Sequence, residues 1–197
     1  TNMAKIALLL LGLVLSASAV PLTPERAKAL AEGIFAQDAP SNVDVRDLIR
    51  KHEGSRPCVY VDTTGHHTIG VGFNLETSNA RHDIESIGAN FDEIYSGKKC
   101  LTEHQIDKLF TISLDAATSG ARQAVSGYSG LCSNVQAVMV DMDFNLGTAG
   151  LESFGTFLSY INDHHWSQAA ADMKGTLWCK QVGHRCTDDA GIVSHGC

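Results

Sequence analysis

The sequence predicts an α+β fold that is mainly helical, with one small β-hairpin near its start. Three observations predict it. Between Cys58 and Gly72 the chain is β-prone on both sides of a turn: Cys58-Val59-Tyr60-Val61, then Asp62-Thr63-Thr64-Gly65, then His67-Thr68-Ile69-Gly70-Val71-Gly72. Beyond Leu101 the apolar residues fall at helical spacing instead, as in Ile106, Leu109, Phe110, Ala117, Ala121 and Val125. Composition is the third: 44% hydrophobic and 19% charged residues in 197 suit one globular unit with a sizeable core.

In chain order, residues 1–19 read as a secretory signal peptide. Lys5 precedes an apolar run from Ile6 to Leu15, and Ala17-Ser18-Ala19 is a small-residue cleavage site. That run is too short for a membrane anchor, and Thr1-Asn2 before Met3 reads as an extraneous remnant. Residues 20–41 form an N-terminal extension, a propeptide or an added helix, in which Thr23 caps, Pro24 takes the first helical position and Gly33 ends the stripe. The principal domain then spans residues 42–197.

Its first helix is expected from Ser41 to His52, on a Ser41/Asp44 capping pair and a Val45, Leu48, Ile49 stripe, with Gly54 as its stop. Short helices are expected at Ala80–Ile87 and Phe91–Tyr95. Thr102-x-x-Gln105 is a capping box that opens a long helix, closed by Ser126 to Gly130. Ser133-x-x-Gln136 opens the next, with Val135, Val138, Met139 and Met142 as a core stripe, and shorter helices follow over 154–162 and 166–174.

The candidate chemistry lies between His52 and Phe73. Glu53 ends the first helix, where the negative end of the dipole disfavours a charged carboxyl. Asp62 stands at a strand-to-turn junction. Two carboxylates in unlike surroundings are the minimum equipment for cleaving a glycosidic bond; taken alone they also fit a surface glutamate and a turn aspartate.

Glu53-Gly54, Tyr60, Asp62-Thr63, Gly65 and Thr68-Ile69-Gly70-x-Gly72 together resemble the catalytic helix and hairpin of phage-type lysozymes (glycoside hydrolase family 24). Leu101-Thr102-Glu103 through Asp115-Ala116-Ala117 is similar to that family's inter-lobe helix. Phe144-Asn145-Leu146-Gly147, Gly150, Phe154, Trp166, Ala169-Ala170, Trp178 and Arg185 resemble its C-terminal lobe. The likeness covers roughly residues 42 to 190. It implies a small lobe with the hairpin, a long helix, and a larger all-helical lobe across a cleft. It also implies Glu53 as general acid, Asp62 as the carboxylate that supports the cationic transition state or activates water, and Thr68 as the hydroxyl that positions the water. Gly70, Gly72, Phe144 and Arg185 would serve substrate binding, with Arg185 beside the acid.

The sequence departs from the pattern at a His–acid pair common in the family, here Phe73 and Ser113, both replaced together. His66 and His67 stand for frequent turn aromatics and read as cleft-edge contacts; His164-His165 reads as a solvated helix start. The tail from Ala190 is shorter and more glycine-rich than the family's final helix.

All six cysteines follow the leader, so three disulfides are expected, with fifteen pairings open. Loop length and approximate family positions favour Cys58–Cys100, Cys132–Cys197 and Cys179–Cys186. No Cys-x-x-Cys supports a metal site, and no metal or cofactor is expected. After the leader, 14 basic and 22 acidic side chains leave a charge of −8, a poor match for nucleic acid or anionic lipid. Nine histidines would reduce that charge in acid, which hints at an acidic working environment or is simply surface composition.

The expectation is therefore a secreted, monomeric N-acetylmuramidase acting on bacterial peptidoglycan, without stable membrane insertion. The alternatives are a lytic transglycosylase, which can work with one carboxylate, and a wall-binding protein without turnover.

Overall fold

The computed structural model describes residues 42–197. The leader and the N-terminal extension read from the sequence lie outside these residues, as does Ser41. Helix α1 (Val45–Glu53) is capped by Asp44, whose carboxylate accepts from the backbone of Arg46 at 2.7 Å and of Asp47 at 3.3 Å. The cap expected at Ser41 thus falls on the aspartate that was to answer it. Leu48 and Ile49 turn inward, and Gly54 ends the helix at φ +71°.

Strand β1 (Arg56–Val61) pairs antiparallel with β2 (His67–Gly70), and β2 with β3 (Phe73–Asn74), in a three-stranded sheet. Tyr60 faces Thr68 and Arg56 faces Gly70, so β1 takes four residue steps where β2 takes two. The bulge holds Pro57 and Cys58, with Pro57 accepting from the backbone of Leu101 at 2.8 Å. The second strand is shorter than the sequence suggested because Gly70 and Gly72, both at positive φ, turn the chain into β3. Helices α2 (Ala80–Ser86) and α3 (Phe91–Tyr95) complete this lobe.

Helix α4 (Glu103–Ala124) opens on the reciprocal Thr102–Gln105 capping box. Its 22 residues span about 33 Å at the standard helical rise. Near its start, Ile106 and Leu109 lie under Gly70 of the sheet; further on, Ala117 and Ala121 are buried in the second lobe. A 3-10 turn at Tyr128–Gly130 leads to α5 (Ser133–Leu146). Here the expected Ser133–Gln136 box is not made. The helix starts after Cys132, Gln136 donates back to the carbonyls of Tyr128 and Leu131, and Ser133 donates to Asn42 at 2.6 Å.

Helix α5 is buried nearly all round and packs against α1, α4, α6 (Thr148–Glu152) and α10 (His184–His195). Helix α7 (Gly155–Asn162) packs on α8 (Trp166–Gly175), and α8 and α9 (Leu177–Val182) pack on each other and on α10. The glycine-rich tail is helical as far as His195. Disulfides join Cys58 to Cys100, Cys179 to Cys186 and Cys132 to Cys197. The first braces the bulge of β1 against the entry to α4. The other two hold α10 at its first turn and just past its last.

Candidate active site

Helix α1 ends at Glu53, and its carboxylate is fixed by one cation from the far end of the chain. Arg185 Nη1 on α10 donates to Glu53 Oε1 at 2.6 Å. The same guanidinium is locked from behind by Asp141 of α5. Nε donates to Oδ2 at 2.7 Å, and Nη2 donates to Oδ1 at 3.0 Å and to the Asp141 carbonyl at 3.2 Å. Asp141 is wholly buried and Arg185 nearly so. His52 adds Nδ1 at 3.1 Å from both Asp141 oxygens, and its Nε2 lies 3.3 Å from Asp188. Burial pushes the Asp141 carboxyl up, but the hydrogen bonds from His52 and Arg185 and their charges outweigh it and hold it below its ordinary range.

Glu53 is flanked on another side by Gly72. A Cβ built there would lie 2.9 Å from Glu53 Oε2, at a backbone φ of +66° that side chains rarely adopt. Glycine at this position therefore keeps the glutamate in place. Gly70 serves the packing of the sheet instead. It is buried, and its Cβ direction faces Ile106 and Leu109 of α4.

Asp62 sits where β1 gives way to the turn, and its Oδ1 is saturated with local donors. It accepts from Thr64 N and Thr64 Oγ1, both at 2.8 Å, and from His66 N at 2.9 Å. These bonds, led by the His66 backbone and the Thr64 hydroxyl, lower its pKa to about 2. Thr68 is buried with its hydroxyl 3.2 Å from the His66 carbonyl and 3.5 Å from Asp62 Oδ2. The turn histidines are engaged locally: His66 Nδ1 lies 2.8 Å from Thr64 Oγ1, while His67 meets Glu76 at 2.8 Å and packs on the Tyr95 ring.

A cleft of about 370 Å³ opens between the lobes, lined by Gly72, Phe73, Asn74, Ser113, Asp143 and Phe144 among others. Phe144 meets Phe110 edge to face. Phe73 and Ser113, the two substituted family positions, both border this cleft. Asp143, also on its wall, is nearly buried, and burial raises its pKa.

Sequence reasoning missed Asp141, Asp189 and the role of His52. The available signal was two aspartates, Asp141 and Asp143, inside the otherwise apolar run from Ala137 to Phe144, and an Asp188-Asp189 pair one turn beyond Arg185. His52, Asp141 and Asp189 bring ligand-type atoms within 4.8 Å of one another, a donor set that could in composition hold a cation. Both oxygens of Asp141, however, are already bound by Arg185.

The phage lysozyme family model matches residues 50–195. The chain belongs to the phage lysozyme family. Among its relatives, "Probable T4-type lysozyme 1" of Dictyostelium discoideum is 24% identical over 160 residues, covering 77% of this chain and 94% of that protein. "Probable T4-type lysozyme 2" of the same organism is 24% identical over 72% of this chain and 88% of its own length. The "Pre-baseplate central spike protein Gp5" of Enterobacteria phage T4 is 25% identical over 81% of this chain but only 29% of the spike protein. Family membership gives the class of activity, a muramidase-like peptidoglycan hydrolase. Among the described residues, no helix of this phage lysozyme relative is long and apolar enough to cross a membrane.

Proposed function

We propose that the protein is a secreted N-acetylmuramidase that hydrolyses the β-1,4 glycosidic bond of bacterial peptidoglycan with inversion, as a monomer, in defence against bacteria or their digestion. The observation that carries this reading is a pair of carboxylates each fixed by its own donors. Glu53 is positioned by a largely buried Arg185, and Asp62 is kept ionised by its turn.

In the reaction, water attacks the anomeric carbon as the glycosidic C–O bond breaks. Glu53 gives its proton to the leaving oxygen. Asp62 draws the proton from the water, which the Thr68 hydroxyl orients. Inversion requires a water between the sugar and the second carboxylate. Phe144 and Gly72 would border the sugar chain in the cleft, with Gly70 supporting that edge from behind. Three disulfides and an acidic charge suit an oxidising extracellular fluid.

Glu53→Gln tests the reading, since the amide keeps size and hydrogen bonding but has no proton to give. Wall lysis, followed by turbidity, should fall at least ~10²–10⁴-fold with the fold retained. Lysis at the wild-type rate removes Glu53 from the mechanism. Mass analysis of the products separates hydrolysis from transglycosylation, which would leave an anhydro sugar.

A further inference from the structure

Asp189 is fully buried, and neither of its carboxyl oxygens receives a hydrogen bond from a donor among the described residues. An ionised carboxylate so enclosed, with no donor on it, would be strongly disfavoured. The groups around it explain how the cost is avoided. From α5 comes Asp141; from α1, His52, with Lys51 drawn outward to Asp188 at 2.7 Å; from α10 itself, Arg185 and Asp188. Helix α8, packed along α10, buries the apolar residues Ala169, Ala170 and Met173, while its Lys174 is exposed and its Asp172 half-buried. Helix α9 contributes only the exposed Lys180 as a charged group.

Two adjacent carboxyls, one orphaned and one charged, are resolved by a single proton. We propose that Asp189 is a positioning residue that carries this proton, donates its O–H to Asp141, and so leaves Arg185 free to hold Glu53. Were Asp189 ionised, a second buried anion would compete with Glu53 for the one guanidinium. With Asp189 neutral, Asp141 anchors Nε and Nη2 while Nη1 stays on the glutamate. Burial, then the neighbouring Asp141 charge, push the Asp189 carboxyl well above the ordinary range. Its contribution to stability is therefore complete in acid and is lost as pH rises through its folded-state pKa. The functional part of this inference rests on Glu53 being the catalytic acid.

The infrared spectrum supplies the direct test. At pH 7 the wild-type protein should show the carbonyl band of a protonated carboxyl that disappears in Asp189→Asn. On a soluble peptidoglycan fragment, Asp189→Asn should keep kcat within about threefold, because its amide N–H replaces the O–H donor. Asp189→Val, with no donor, should lose at least about tenfold in kcat with little change in KM. Its pH–rate profile should extend to higher pH on the alkaline side, because Arg185 is drawn from Glu53 toward Asp141. If neither variant folds, the band decides in Asp143→Asn/Glu53→Gln protein, present when folded and gone on unfolding.

A wild-type spectrum identical to that of Asp189→Asn overturns the proposal. So does a rise in Tm with added Zn²⁺ that Asp189→Asn abolishes, which would make the site a metal site. If no wall lysis is found at all, the muramidase reading fails while the infrared result still decides whether Asp189 holds the proton.

Discussion

Glu53 and Asp62 stand nine residues apart in sequence, yet they are supported in opposite ways. Among the described residues, the bonds to the Asp62 carboxylate come from Thr64, His66 and Thr68, within six residues, and the group stays in contact with solvent. Glu53 depends on Arg185, 132 residues away, which depends in turn on Asp141, 44 residues back, with His52 reaching that same aspartate. One carboxylate is set by a turn and the other by the packing of three helices. A turn-made site can be altered without disturbing the fold. In a packing-made site, removing a buried member disturbs the fold as well.

The largest effect expected from that contrast is at Asp141. Asp141→Ala leaves a buried guanidinium with one carboxylate in place of two, a change that typically costs about 3–5 kcal/mol. Denaturant unfolding should show the loss, and wall lysis should fall with it. Stability unchanged by this substitution would mean that Arg185 is held by other means.

Thr64→Val should do the reverse, leaving the melting temperature nearly unchanged while altering chemistry. It removes one donor from a carboxylate whose pKa is about 2, so that value should climb toward the ordinary range. A depressed carboxylate contributes its stabilisation above its unfolded pKa and loses it as pH falls through the folded one. With the donor gone, that loss and any acid limb due to Asp62 move to higher pH. NMR titration of the Asp62 carboxyl and lysis rates in the acid range both report it. A titration curve that does not move would assign the shift to the backbone donors alone.

The smallest effect concerns encounter with the substrate. Of the three basic residues that could form a local patch by the glutamate, Arg50 pairs with Asp107 and Lys51 with Asp188, while Arg56 lies over the Tyr60 ring. Global charge should therefore dominate steering toward an anionic wall. Moderate salt at about pH 7 should raise lysis modestly, and less so at about pH 5–6 as histidines protonate. Monotonic inhibition by salt at neutral pH would show that a local patch governs binding after all.

The same contrast accounts for what could be read in advance. The hairpin, the Thr102 capping box, the Gly54 stop and the core stripes of α4 and α5 all rest on residues close in sequence, and they are found where the pattern put them. Errors arose where a local signal had a distant competitor. Ser133 matches a box but gives its hydroxyl to Asn42, 91 residues away. Strand β3 has two residues, too few for any period to register. Arg185 was legible only through family likeness. The acid that holds it, Asp141, and the buried Asp189 beside that acid lie on helices whose meeting no local spacing announces.

The two disulfides around α10 have a consequence for the order in which the molecule comes apart. A helix packed on the outside of a core ordinarily opens before that core does. This one carries Arg185 and Asp189, and it is tied to α9 at one end and to the start of α5 at the other. Its amides should therefore exchange with solvent only in openings that include α5, at rates close to those of the core. Mild reduction would let α10 open by itself, and Glu53 would lose its cation before the rest of the domain unfolds.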